Sequence, residues 1–171
     1  MKNRFLIITI CTFVHLQSCT TSVVPLRGKY QEGSVKSKIE KPFESVWESV
    51  IDLIAETGVS VKMIDKASGL IIADIASFSG LLSFEESRGD LANPKAHIVI
   101  ERLNSDFPNS ANKYDATAIW NMRVKPLSGN VTVVSVNLHS IRVDKALLPL
   151  RGKSTGNFEK WLIDGIFEGV E

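Results

Sequence analysis

The stretch YDATAIWNMRVK at residues 114–125 alternates without a break. Ala116, Ala118, Trp120, Met122 and Val124 fall on one face; Thr117, Ile119, Asn121, Arg123 and Lys125 fall on the other. A period of two sustained over this length predicts a half-buried strand with its first face against a core. Turn residues at 126–130 and a second alternating run at 131–141 predict the partner strand, so the two form the longest hairpin in the chain. The small side chains of Ala116 and Ala118 would let a bulky helix residue, Trp47 or Phe43, pack closely on that face.

The helices that could cover the hairpin are marked by a different period. After Pro42, the residues Phe43, Val46, Trp47, Val50, Ile51 and Ile54 recur at helical spacing, with Glu44, Glu48, Asp52 and Glu56 mostly off that stripe; Gly58 ends the run. A second helix begins near Ser154 or Thr155, whose hydroxyls suit an N-cap, and Glu159 falls near its first turn. Phe158, Trp161, Leu162 and Ile166 form its apolar stripe. Shorter strands are predicted at 34–40, 59–64, 70–78 and 96–102, the second and third joined by a turn at 65–69; residues 142–153 read as irregular. The order is strand, helix, five strands, helix. The expected fold class is α+β, a curved antiparallel sheet of about six strands packed on two amphipathic helices, in a single domain at 34–171.

Residues 78–84 (FSGLLSF) precede a polar stretch at 85–95. An apolar tip on a long loop either folds over an open end of the core or stays exposed as a contact surface. Phe78, Leu81, Leu82 and Phe84 are therefore the candidate residues for touching a partner or a ligand.

The amino terminus decides the compartment. Lys2 and Arg4 form a basic region, and residues 5–16 form an apolar run shorter than the roughly 18 residues a spanning helix needs. Leu16-Gln17-Ser18-Cys19 then resembles the lipobox of bacterial lipoproteins. The resemblance implies that residues 1–18 are a signal peptide, that cleavage falls before Cys19, and that Cys19 is acylated on its sulfur and its new amino group. Several acyl chains on one residue anchor stably, each buried methylene adding about 0.8 kcal/mol. Thr20 follows where many lipoproteins retained at the inner membrane carry Asp, which by resemblance points to the outer membrane, facing the periplasm. Residues 19–33 mix hydroxyl residues, Pro25 and two glycines, and read as a lipidated tether that holds the domain clear of the bilayer.

Removing residues 1–18 leaves 153 residues, enough for one domain with its own core. The loss of Lys2 and Arg4 leaves 18 basic residues against 19 acidic, a formal charge of −1, and nothing in that balance suggests nucleic acid. Cys11 departs with the signal peptide and Cys19 carries lipid, so no thiol remains for a disulfide, a metal or a nucleophile.

No catalytic set is expected. Gly152-Lys153-Ser154 has the end of a phosphate-binding loop, but position 147, where that motif needs Gly, is Leu. His97 and His139 lack partners at metal-ligand spacing. Glu85-Glu86 and Asp90 are adjacent carboxylates on a polar stretch, a pattern that is usually solvated. No metal and no cofactor are expected. The pentapeptide Pro-Leu-Arg-Gly-Lys occurs at 25–29 and again at 149–153, too short a repeat to establish a duplication.

The element order resembles the helix-grip arrangement, of which the third lipoprotein of the outer-membrane β-barrel assembly machinery is a lipid-anchored example. The resemblance rests on Pro42-Phe43 with Val46-Trp47, on Asp65, Gly69 and Leu70-Ile71, on Arg123-Val124, and on Ser154-Thr155-Gly156 with Glu159-Lys160, and spans residues 34–169. That family has an extended N-terminal segment and two such domains, where this chain has room for one. The function expected is a non-catalytic envelope lipoprotein that binds another protein as an accessory or scaffold. The alternative is a carrier or sensor of an apolar ligand held between helix and sheet.

Overall fold

The structure is a computed structural model that describes residues 20–86 and 89–170. It is α+β, with two helices and mostly antiparallel, curved sheets. The long hairpin is its axis. β9 (Asp115–Ser128) and β10 (Val131–Asp144) pair along nearly their whole length. Ala116, Ala118, Trp120, Met122 and Val124 are all buried, as the alternation requires.

β2 (Val35–Ile39) pairs with the outer side of β10, while β4 (Leu70–Ala73) and β5 (Ala76–Ser77) pair in succession with β9. The expected single strand at 70–78 is thus interrupted at Asp74 and Ile75, which leaves Ile75 63% exposed. β3 (Val61–Asp65) pairs with β4 and forms the edge. The turn between β3 and β4 is closed by the Asp65 carboxylate, which accepts from the amides of Ala67 and Ser68 at 3.0 and 3.4 Å. Gly69 follows with φ of 67°, and a Cβ there would run into the Val124 carbonyl, so only glycine fits.

α1 (Phe43–Thr57) and α2 (Asn157–Val170) lie against β9 and β10 and against each other. Gly58 ends α1 in the left-handed region, its amide donating to the Ile54 carbonyl. The helices approach closely where Ser49 and Leu53 meet Gly165 and Gly169, and the Ser49 hydroxyl donates to the Ile166 carbonyl at 3.0 Å. α2 starts at Asn157, slightly later than expected. The Ser154 and Thr155 hydroxyls still satisfy its first amides, accepting from Gly156 and Asn157 at 3.0 and 3.2 Å. Trp161 is not on the core stripe: it is 44% exposed, while Phe158, Leu162, Ile163 and Ile166 are buried.

The strands do not form one sheet. β6 (Leu82–Phe84) and β7 (Ile98–Ile100) are paired in parallel, and β11 (Gly152–Ser154) joins β7 antiparallel, so these three make a separate sheet. The expected strand at 96–102 is divided between β7 and β8 (Arg102–Leu103), and β8 pairs with β1 (Val23–Val24). Residues 142–153 are less irregular than expected, since β10 continues to Asp144 and β11 begins at Gly152.

Candidate functional site

Of the two arrangements open to residues 78–84, folded over the core or exposed as a contact surface, the structure has mostly the first. Phe78, Leu82 and Phe84 are 3%, 1% and 0% exposed; Leu81, at 38%, is the one of the four on the surface. The physical reason is the parallel pair. Leu82 and Phe84 lie opposite Ile98 and Ile100, and every residue of β6 and β7 is buried. A strand buried on both faces has no wet side, and the one polar residue of β6, Ser83, is satisfied internally, donating to the Phe84 carbonyl and accepting the Asn93 amide at 2.9 Å each. Phe78 meets Phe158 edge to face at 5.2 Å, and Phe84 meets Tyr114 at 6.1 Å. Cys19 lies outside the described residues.

What the buried run does position is the residue after it. The Glu85 carboxylate accepts the amide of Arg27 at 2.6 Å and also the amide of Gly28. These two bonds clamp the N-terminal segment onto the domain. A Cβ on Gly28 would lie 2.7 Å from Glu85 Oε1 and 2.9 Å from the Tyr30 ring, so a larger residue there would have to push these side-chain ends aside. Burial and the neighbouring Glu85 charge both push the Tyr30 hydroxyl well above its ordinary value. Further along, the Gln31 amide donates to the Ser154 carbonyl at 3.1 Å and Lys153 pairs with Glu32 at 3.0 Å. The expected free tether is therefore a strap, docked from β1 to Glu32.

Between strap and body lies a cleft of about 170 Å³, lined by Leu26, Arg27, Glu85, Glu86, Ile100 and Arg102 among others. Ligand sites that enclose a small molecule run from about 300 to 1,000 Å³. The cleft suits an inserted side chain better than a whole ligand. Among the described residues, no group of three or more His, Cys, Asp or Glu side chains is placed to hold a metal ion.

A second cluster lies at the N-terminal end of α2. The half-buried His97 ring stacks on Trp161 at 6.5 Å and tilts against Phe158 at 5.7 Å, and its Nδ1 is buried with no hydrogen-bond partner among the described residues. Burial lowers its pKa. Packed against the Phe158 and Trp161 rings, the imidazole fills the space between them. His139, in β10, has Nδ1 2.9 Å from the Ser140 hydroxyl and is not brought to His97.

Sequence reasoning passed over Glu85, which it placed among solvated carboxylates, and Asn104, which holds the start of the strap. The available signal for Glu85 was its position directly after an apolar run. For Asn104 there was none, because its partners lie 82 and 84 residues away.

No family model matches this chain, and no curated protein matches it. Among solved structures it is similar to a conserved protein from Geobacillus kaustophilus, at 10% identity over 81% of this chain and 91% of that one, with a TM-score of 0.31. An uncharacterised protein from Bacillus thuringiensis is similar at 11% identity over 80% and 93%, with a TM-score of 0.27.

Proposed function

We propose that this chain is a non-catalytic lipoprotein of the bacterial envelope, anchored through acylated Cys19 at the outer membrane and acting as a protein-binding accessory or scaffold. The observation that carries the choice over a ligand carrier is the filled interior. Trp120, Met122, Leu162 and Ile166 are 0% exposed where the helices meet the sheet, with Trp47 at 5% beside them. A carrier would need space that these side chains occupy.

Function is then left to surfaces. The edge strand β3 is the apolar one, with Met63 and Ile64 at 41% and 50% exposure. A free edge with large aliphatic side chains invites a partner strand, the backbone supplying affinity and the side chains selectivity. Photo-crosslinking in living cells from a reactive amino acid at Ile64, and separately at the exposed Leu81, tests this. A discrete protein adduct from Ile64 is the expected result. Adducts to lipid alone, or none from either position, would set the scaffold function aside. Native mass spectrometry of the protein from its own membrane is expected to show no bound small apolar molecule; a retained one would reinstate the carrier.

A further inference from the structure

The start of the described chain is held in place at one residue. Asn104 Nδ2 donates to the Thr20 carbonyl at 3.1 Å, Asn104 Oδ1 accepts the Ser22 amide at 3.1 Å, and the Asn104 amide donates to the Ser22 carbonyl at 2.9 Å. Pairing of Val23 with Leu103 and of Val24 with Arg102 extends this grip. Thr20 directly follows the acylation site, so a lipid on Cys19 would leave one residue, about 3.8 Å of chain, between the anchor and a fixed point on the folded domain.

Three residues beyond Asn104 stands Phe107, 78% exposed. It is not on a slack loop. Its carbonyl accepts the Ser110 amide at 3.0 Å and the Ser110 hydroxyl at 2.9 Å. The preceding Asp106 is buried, accepting from the Leu103 amide and the Tyr114 hydroxyl at 2.9 Å each and pairing with Lys113. An aromatic ring on a braced turn is held out into water, and moving such a ring into an apolar phase is favourable. Three residues span at most about 11 Å. Phe107 thus lies within reach of any bilayer that holds Cys19.

We propose that Phe107 inserts at the headgroup boundary of the membrane holding Cys19, making the turn at 104–110 the membrane-facing edge of the domain. The inference rests on the acylation of Cys19 proposed above, and adds an orientation. The domain sits against the bilayer with the β9–β10 turn pointing away, instead of drifting on a tether. Leu127, near that turn and 56% exposed, is about 40 Å from Asp115 along β9 and makes the control position.

The test uses the full-length protein acylated in its host and reconstituted into phosphatidylethanolamine–phosphatidylglycerol vesicles. With Cys11 removed and Cys19 carrying lipid, Phe107→Cys or Leu127→Cys provides a single thiol for an environment-sensitive fluorophore. At 107 the emission is expected to shift to the blue on reconstitution, and a lipid spin-labelled near the headgroup should quench it several-fold more than the label at 127. The mass of the N-terminal peptide separates two failures. Acylated Cys19 with a label at 107 as water-exposed as that at 127 would overturn the orientation alone; an unmodified Cys19 would overturn the lipoprotein assignment and the orientation with it.

Discussion

The two copies of Pro-Leu-Arg-Gly-Lys use the same five residues in different structures. In the first, the amides of Arg27 and Gly28 donate to the side chain of Glu85, and the segment is not a strand. In the second, the Arg151 amide donates to the side chain of Glu101 at 2.9 Å, the Glu101 amide donates back to the Arg151 carbonyl at 2.9 Å, and the chain runs on as β11. Each copy therefore hands its arginine amide to a glutamate, and each glycine marks a close approach. Beyond that they part. The first copy is partly exposed and its amides are taken by a carboxylate; the second lies beside β7 and takes the backbone pairing that β7 offers. A pentapeptide sets which contacts it can make, and the neighbour decides which of them form.

If the second copy belongs to the core and the first is only fastened to it, damage should scale accordingly. The largest effect is expected just past the second copy. Glu159 is fully buried, accepts the Leu138 amide at 3.2 Å and receives the Ser154 hydroxyl at 2.8 Å. Glu159→Leu strands both donors and should cost about 3 kcal/mol in urea unfolding. Next is Gly152→Ala. Its Cβ would lie 2.6 Å from Ile141 Cγ2 and 3.3 Å from Ile98 Cγ2, an overpacking expected to cost about 2 kcal/mol.

Gly28→Ala makes a comparable clash with Glu85 and Tyr30, yet should change global stability by less than about 1 kcal/mol, because the strap can lift away. The change should appear instead as faster amide exchange and easier proteolysis near Arg27 and Lys29. A Gly28→Ala protein as destabilised as Gly152→Ala would erase the distinction between strap and core.

The smallest effect is pH-dependent and should touch the second copy's surroundings only. The carbonyl of His97 accepts the Thr155 amide at 3.0 Å, and burial lowers the pKa of its ring below the ordinary value near 6.5. The unfolded chain therefore binds its proton first as pH falls. This contribution to stability is complete above about pH 6.5 and is lost as pH drops from there through the lowered folded value. His97→Phe should flatten that part of the pH profile in thermal melts while leaving exchange at Arg27 unchanged.

How much was legible follows from what kind of signal each element carries. β9, β10 and α1 announce themselves through periods of two and 3.6, because each has one buried face and one wet face. The start of α2 was legible to within a turn from its hydroxyl residues. β7 was legible as part of the run at 96–102, but β6 is three residues long and buried throughout, too short to show a period, so it was taken for part of a loop tip. Trp161 matched the helical stripe by spacing, but the ring of His97 gives it a stacking partner at the flank of α2, where it stays partly in water.

The strap shows the limit most clearly. Residues 20–33 have the composition of a linker, and no local property separates a linker from a segment that docks. Docking depends on Glu85 and Asn104, more than fifty residues away, arriving at the right place. The α+β class, the hairpin and both helices were determined by the sequence alone, since each rests on a local periodicity. The parallel pairing of β6 with β7, the burial of Phe78, Leu82 and Phe84, and the fastening of the N-terminal segment were decided only by tertiary structure, because their partners meet only once the chain has folded.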